Sequence, residues 1–205
     1  MKLFWSSRSP FVCKVMIVAH ELGLAEELTL IRSVVHPAAP NADVMVFNPL
    51  SKIPTLVFDN GTPLYDSRVI CEYLDTDHGQ GRLVPPAGQE RWRVLTWQAM
   101  ADGIMETALL WLSEKAKPST TRQDDIVSGC RQKIFAALDR LEDEGRFISS
   151  TEPTLGHIAV GSALLYLDFR FDAERWRDAR PRLGEWFEAF SRRASVRATA
   201  FADVY

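Results

Sequence analysis

The chain has 205 residues, 46% hydrophobic, 25% charged and 10% aromatic, which is the balance of a globular protein with a core and excludes a disordered or fibrous chain. Twenty-four Lys and Arg stand against 27 Asp and Glu, leaving a net charge of −3 with no long single-sign run, so the basic surface that grips a phosphate backbone is absent and no nucleic-acid partner is expected. No stretch approaches the ~20 apolar residues of a membrane span, and at roughly 100–200 residues per domain the length allows one large domain or two small ones.

In chain order, residues 2–5 (KLFW) predict a strand. Ser9-Pro10 then opens a helix, Ser9 as its N-cap and Pro10 at the first helical position, with Phe11, Val15, Val18 and Leu22 at helical spacing and Gly23 as the stop. Leu28 to Arg32 alternates as a second strand, and Pro37 to Pro40 marks a loop leading to a short helix around Asp43 to Phe47. Ile53 to Phe58, the turn Asp59-Asn60-Gly61 and Thr62 to Tyr65 predict a hairpin, after which Asp66-Ser67 caps a helix bearing Val69, Ile70, Tyr73 and Leu74. A β-α-β unit followed by a β-β-α unit predicts a thioredoxin-like domain, a four-stranded mixed sheet with helices on its faces.

Gly and Pro concentrate between His78 and Gly88, the strongest linker signal in the chain. This sets expected boundaries of 1–78 for the first domain, 79–88 for the linker and 89–205 for an all-helical second domain. Within that domain amphipathic runs occupy about 89–116, 122–144, 154–171 and 181–199, a helical bundle. The fold class is thus α/β followed by all-α.

Cys13, Cys71 and Cys130 are odd in number, widely spaced, and form neither CxxC pairs nor a metal-ligand cluster with the four histidines. They are expected to be reduced, buried thiols, with no metal. Polar residues break the apolar part of the opening segment, which predicts a mature protein starting at Met1 in the cytoplasm.

The order of elements and several local strings resemble one family. SxxSPFVxKV at the first turn, FNPLSKIPTL before the hairpin, LYDSRVICEYLD at the third helix and TLGHIAVGSALLYLDFR in the helical part are similar to the cytosolic glutathione transferases, in particular to small bacterial members of the serine type. The resemblance runs nearly end to end. It implies a serine that donates a hydrogen bond to the sulfur of bound glutathione, and Ser9 is the expected residue, with Ser6 and Ser7 as alternatives in the same turn. A thiol of ordinary pKa ~8.5 lowered by about two units requires roughly 2.7 kcal/mol of preferential thiolate stabilisation, which a hydroxyl donor and a helix N-terminus supply together. Read without the family, Ser9 is a helix cap.

The resemblance further implies a cis Ile53–Pro54 bond that turns the Ile53 backbone outward to pair with the tripeptide, as in strand addition. Asp66 and Ser67, good caps in their own right, would hold the γ-glutamyl end at the start of the third helix. Lys52 would pair with the glycyl carboxylate, and His36 lies in a loop near that end. Arg8 is a possible contact of the electrophile. Phe11, Met105, Leu109, Trp111, Tyr166 and Phe169 are candidates for lining the second-substrate pocket, against a default of helical core.

The implied function is conjugation of glutathione, as co-substrate, to a small electrophile by a homodimer. Glutathione-dependent peroxide reduction, dehalogenation or isomerisation, and a non-catalytic binding module on the same fold, are the alternatives. One departure stands out. The family pattern places an acid three residues after Thr154 in a capping box, and here His157 stands there. A neutral imidazole can accept the backbone bond or point outward. Replacement by Asp is expected to raise the unfolding midpoint.

Overall fold

The computed structural model describes residues 1–149 and 152–203; the last two residues of the expected second domain lie outside this range. The chain divides into two compact units, one formed by residues 1–91 together with the C-terminal segment from 194, the other by residues 92–193.

In the first unit, β1 (Lys2–Trp5), β2 (Thr29–Arg32), β3 (Thr55–Val57) and β4 (Pro63–Leu64) form one sheet in the order β2-β1-β3-β4. β1 pairs parallel with β2 and antiparallel with β3, and β3 pairs antiparallel with β4. The sheet is mixed and four-stranded, as the order of elements predicted. Alternation along β1 and β3 fixes what each face buries. Phe4 and Val57 pack with Val44 of α2 (Ala42–Met45) and with Phe47 and Ile53. Leu3 and Leu56 point to the opposite face and are fully buried. Helix α1 (Pro10–Glu21) connects β1 to β2, and α3 (Ser67–Asp77) follows β4 and packs against α1.

The spacing of Phe11, Val15, Val18 and Leu22 predicts one apolar stripe on α1, but Val12, Cys13, Val15, Met16, Ile17, Val18 and Ala19 are all buried. The helix is enclosed around most of its circumference because its run VCKVMIVA is apolar at nearly every position.

Residues 79–88 contain no regular element until α4 (Gly88–Lys115) begins, yet they are held firmly. The buried Asp75 carboxylate accepts the N–H groups of Leu83 and Val84 at 2.9 and 2.8 Å, and both of those side chains are buried.

The second unit is helical. It contains most of α4, then α5 (Asp124–Asp143), the one-turn α6 (Gly145–Ile148), α7 (Leu155–Phe171) and α8 (Pro181–Ser191). Cys130, Ile134, Leu138 and Leu141 form the buried stripe of α5, whereas α7 is buried without interruption from Leu155 to Leu164 and is the central helix. The predicted run 181–199 is in fact two helices. Bonds from Arg192 N to Ala189 O and Arg193 N to Phe190 O close α8 with i→i+3 geometry, and α9 (Ala194–Arg197) belongs to the first unit, where it packs on α1. Ser195 Oγ donates to Glu21 there at 2.5 Å.

Candidate functional site

Topology brings the expected residues to one end of the first sheet. Phe4 lies opposite Thr55, so the chain leaving β1 toward Ser9 and the chain entering β3 from Ile53 share an end. Leu64 lies opposite Leu56, so the chain leaving β4 toward Asp66 and Ser67 emerges at that same end.

Each group is fixed locally. Ser9 is the N-cap of α1 in extended conformation (φ −89°, ψ 120°), with Pro10 following, and its Oγ accepts the Val12 N–H at 3.3 Å. Accepting uses an oxygen lone pair; the hydroxyl hydrogen is a separate resource for a second partner. The turn before it is closed by Ser9 N donating to Ser6 O, and Ser6 Oγ accepts from Arg8 N, both at 3.3 Å. Ser7 is different: its hydroxyl donates to the Ala202 carbonyl at 2.9 Å, so its hydrogen is committed to the C-terminal segment.

The Ile53–Pro54 bond is cis. Among the described residues neither the N–H nor the C=O of Ile53 takes a hydrogen-bond partner. The loop around it is held by a residue to which sequence reasoning assigned no role. Asn48, buried, donates from Nδ2 to the Lys52 carbonyl at 3.2 Å and to Thr55 Oγ1 at 3.0 Å, and its Oδ1 accepts from Leu50 N at 3.1 Å. Thr55 Oγ1 also donates to the Lys52 carbonyl, at 2.8 Å. Asn48 lay inside the FNPLSKIPTL string, and a polar residue between Phe and Pro ahead of a buried strand was the available signal.

Lys52 is exposed. Asp66 caps α3, its Oδ1 accepting from Arg68 N at 2.9 Å, and Ser67 is buried at the first position of that helix. The end of the first sheet therefore offers a serine hydroxyl, a backbone N–H and C=O at Ile53 without partners among the described residues, and a capped helix N-terminus carrying a carboxylate. Such a set suits an extended peptide with a cationic and an anionic end.

His36 Nδ1 accepts from Ala38 N at 3.1 Å, a bond within its own loop. Met105, Trp111 and Tyr166 are buried, and Trp111 stacks on Phe171 at 4.4 Å, so core packing accounts for all three. A hollow of about 300 Å³ is lined by Ser6, Ser7 and Ser9 and runs along α1 past Val12, Cys13 and Met16 to the tail residues Ala198 and Thr199; Ile53, Asp66 and Ser67 do not line it. All three cysteines are buried. Among the described residues no group of three or more His, Cys, Asp or Glu could hold a metal ion, and no helix is long and apolar enough to cross a membrane.

In the second unit, His157 does not point outward. It is 2% exposed, its Nδ1 accepts from Thr154 N at 3.1 Å, and Nε2 faces the Phe147 carbonyl at 3.0 Å. With Nδ1 accepting, the proton sits on Nε2 and is donated to that carbonyl. Trp97, Phe147 and Trp186 surround the ring.

Two family models match the chain, the glutathione S-transferase N-terminal domain over residues 8–77 and the glutathione S-transferase C-terminal domain over residues 123–189. The GST-like protein YibF of Escherichia coli K12 is 36% identical over 204 residues, 96% of this chain and 97% of that protein. A glutathione transferase family member from Pseudomonas fluorescens Pf-5, solved with bound glutathione, is 41% identical with a TM-score of 0.94, covering 98% of each chain. The structure with bound S-(propanoic acid)-glutathione from the same organism is 40% identical with a TM-score of 0.89, covering 98% of this chain and 100% of that one.

Proposed function

The chain belongs to the glutathione S-transferase family, and from that premise we propose that it binds glutathione at the shared end of the first sheet and conjugates its sulfur to a small electrophile. The observation that carries the reading is the convergence there of the Ser9 cap, the Ile53 backbone and the Asp66–Ser67 helix start. One relative at about 40% identity is solved both with glutathione and with S-(propanoic acid)-glutathione, which supports glutathione as the co-substrate.

In this reading the Ile53 N–H and C=O pair with the cysteinyl residue of glutathione. The α3 N-terminus and Ser67 take the γ-glutamyl carboxylate, Asp66 meets the ammonium, and Lys52 pairs with the glycyl carboxylate. The Ser9 hydroxyl donates to the sulfur, and the α1 N-terminus adds a favourable field for negative charge. Stabilising the anion more than the thiol lowers the thiol pKa and keeps the nucleophile ionised at neutral pH. The thiolate then attacks an electrophilic carbon, and the product is a thioether.

Val69 on α3 and Trp92 and Leu110 on α4 are exposed in the single chain, which supports a homodimer in which a second copy covers them. A cytoplasmic enzyme is consistent with the reduced thiols the sequence implies. The test is retention on immobilised glutathione together with turnover of a model aryl halide, a peroxide and a maleyl-type substrate. Thioether formation from the halide supports conjugation. Binding without turnover of any of the three would favour a non-catalytic module.

A further inference from the structure

Lys52 and Ile53 share one peptide unit, and two buried side chains hold its carbonyl end. The Lys52 carbonyl accepts from Asn48 Nδ2 at 3.2 Å and from Thr55 Oγ1 at 2.8 Å, and Asn48 Nδ2 also donates to Thr55 Oγ1 at 3.0 Å. The directions of these bonds are forced. A carbonyl only accepts, so the single Thr55 hydroxyl hydrogen goes to Lys52, and Asn48 must turn its NH2 group to both, leaving its Oδ1 for Leu50 N at 3.1 Å. Both side chains are buried, so no water competes for these groups.

The Lys52–Ile53 peptide is trans, and in a planar trans unit the C=O and N–H point in opposite directions. With the carbonyl drawn toward Asn48 and Thr55, the Ile53 N–H is turned away from them, and it takes no partner among the described residues. The chain is pinned on the other side of Lys52 as well: Ser51 holds a left-handed φ of 50°, and its Oγ accepts from Asn41 N at 2.8 Å.

We propose that Asn48 and Thr55 are positioning residues for glutathione: by fixing the Lys52–Ile53 peptide plane they present the Ile53 N–H to the cysteinyl carbonyl, and so set where the sulfur stands relative to Ser9. This rests on the reading of Ile53 and Ser9 as glutathione contacts.

Two physical points support it. A coupled change in Lys52 ψ and Ile53 φ turns the peptide plane while leaving both side chains in place, so the packing of Ile53 on the sheet does little to hold the plane and the bonds to the carbonyl decide its orientation. Glutathione then meets an N–H already aimed at it; without those bonds only a fraction of molecules is competent, and the apparent affinity falls by that fraction. The sulfur is carried by the same cysteinyl residue whose carbonyl Ile53 takes. A misplaced cysteinyl unit therefore weakens the Ser9 bond to the sulfur and raises the thiol pKa.

The experiment compares the full chain as wild type, Thr55→Val and Thr55→Ser. Valine suits a buried strand position and removes the hydroxyl, whereas serine keeps it. Calorimetry with glutathione gives the affinity, and thiolate absorbance across pH gives the pKa of the bound thiol, which a merely structural role of Thr55 would leave unchanged. Thr55→Val should bind glutathione about tenfold more weakly, the scale of one hydrogen bond, and its bound thiol should titrate at least about half a unit higher; Thr55→Ser should restore both. A third readout needs no variant: in wild type, saturating glutathione should slow hydrogen exchange of the Ile53 amide at least about tenfold. Equal affinity and thiol pKa in Thr55→Val, a Thr55→Ser variant as impaired as Thr55→Val, or an Ile53 amide indifferent to glutathione would overturn the proposal. If wild type binds glutathione and one of these results is found, only the positioning role fails, whereas if wild type does not bind it, the reading of the site beneath fails as well.

Discussion

His157 joins two segments of the second unit: its Nε2 lies 3.0 Å from the Phe147 carbonyl oxygen in α6, while its Nδ1 accepts the N–H of Thr154 at the start of α7. One neutral ring thus serves as acceptor for a helix cap and as donor to the turn before it.

That arrangement makes stability depend on pH. Burial, opposed in part by the bond to Phe147, pushes His157 down from 6.5 to about 4. Between those values the unfolded chain binds a proton that the folded chain does not, so this contribution is intact above about pH 6.5 and is lost as pH falls toward 4, by about 3 kcal/mol in all. Urea unfolding of wild type and His157→Gln at pH 7.5 and 4.5 checks it. The drop on acidification should be clearly smaller in the variant; equal drops would mean another group carries the effect.

The sequence-based expectation for His157→Asp is reversed by the structure. An aspartate can accept from Thr154 but cannot donate to the Phe147 carbonyl, and it places a charge among Trp97, Phe147 and Trp186 where an aromatic ring stood. The variant should lose roughly 3 kcal/mol or more and show a lower unfolding midpoint at neutral pH. A midpoint above that of wild type would restore the original expectation.

Asp75 should prove to be what holds residues 79–88 in place. Asp75→Ala strips the Leu83 and Val84 N–H groups of their acceptor inside the protein, at a cost of about 2–4 kcal/mol. Gly79→Ala should act on the same segment, because a Cβ there would stand 2.6 Å from Leu22 Cδ2 and 2.7 Å from Asp75 Oδ1. Limited proteolysis reads both: faster cleavage within 79–88 is expected in each variant, and wild-type resistance in Asp75→Ala would refute the role.

Within the first unit, residues 1–78 were legible in the sequence because their signals are local, whereas the segment from 194 that joins them was expected in the second domain. Alternation, the Asp59-Asn60-Gly61 turn and the Ser9-Pro10 cap each mark an element boundary within a few residues. The positions of Ser9, Ile53 and Asp66 follow from those boundaries once the strands pair. What was not legible depends on contacts distant in sequence. Nothing local to Arg192 distinguishes a helix that continues from one that ends, and nothing local to Arg8 or Ser7 indicates partners at Asp203 and Ala202, nearly two hundred residues away. The orientation of His157 was open for the same reason, since its donor bond goes to Phe147, ten residues upstream.

Glutathione thiolate absorbance across pH, in complexes with wild type and with Ser9→Ala, tests the central claim most directly. Loss of the cap bond to Val12 should cost only about 1 kcal/mol of stability, so the variant remains folded for the comparison. In wild type the bound thiol should titrate about two units below its ordinary ~8.5, and in Ser9→Ala it should move back up by at least about one unit with a matching loss of turnover at neutral pH. Superimposable titration curves, from two proteins that both bind glutathione, would contradict the account.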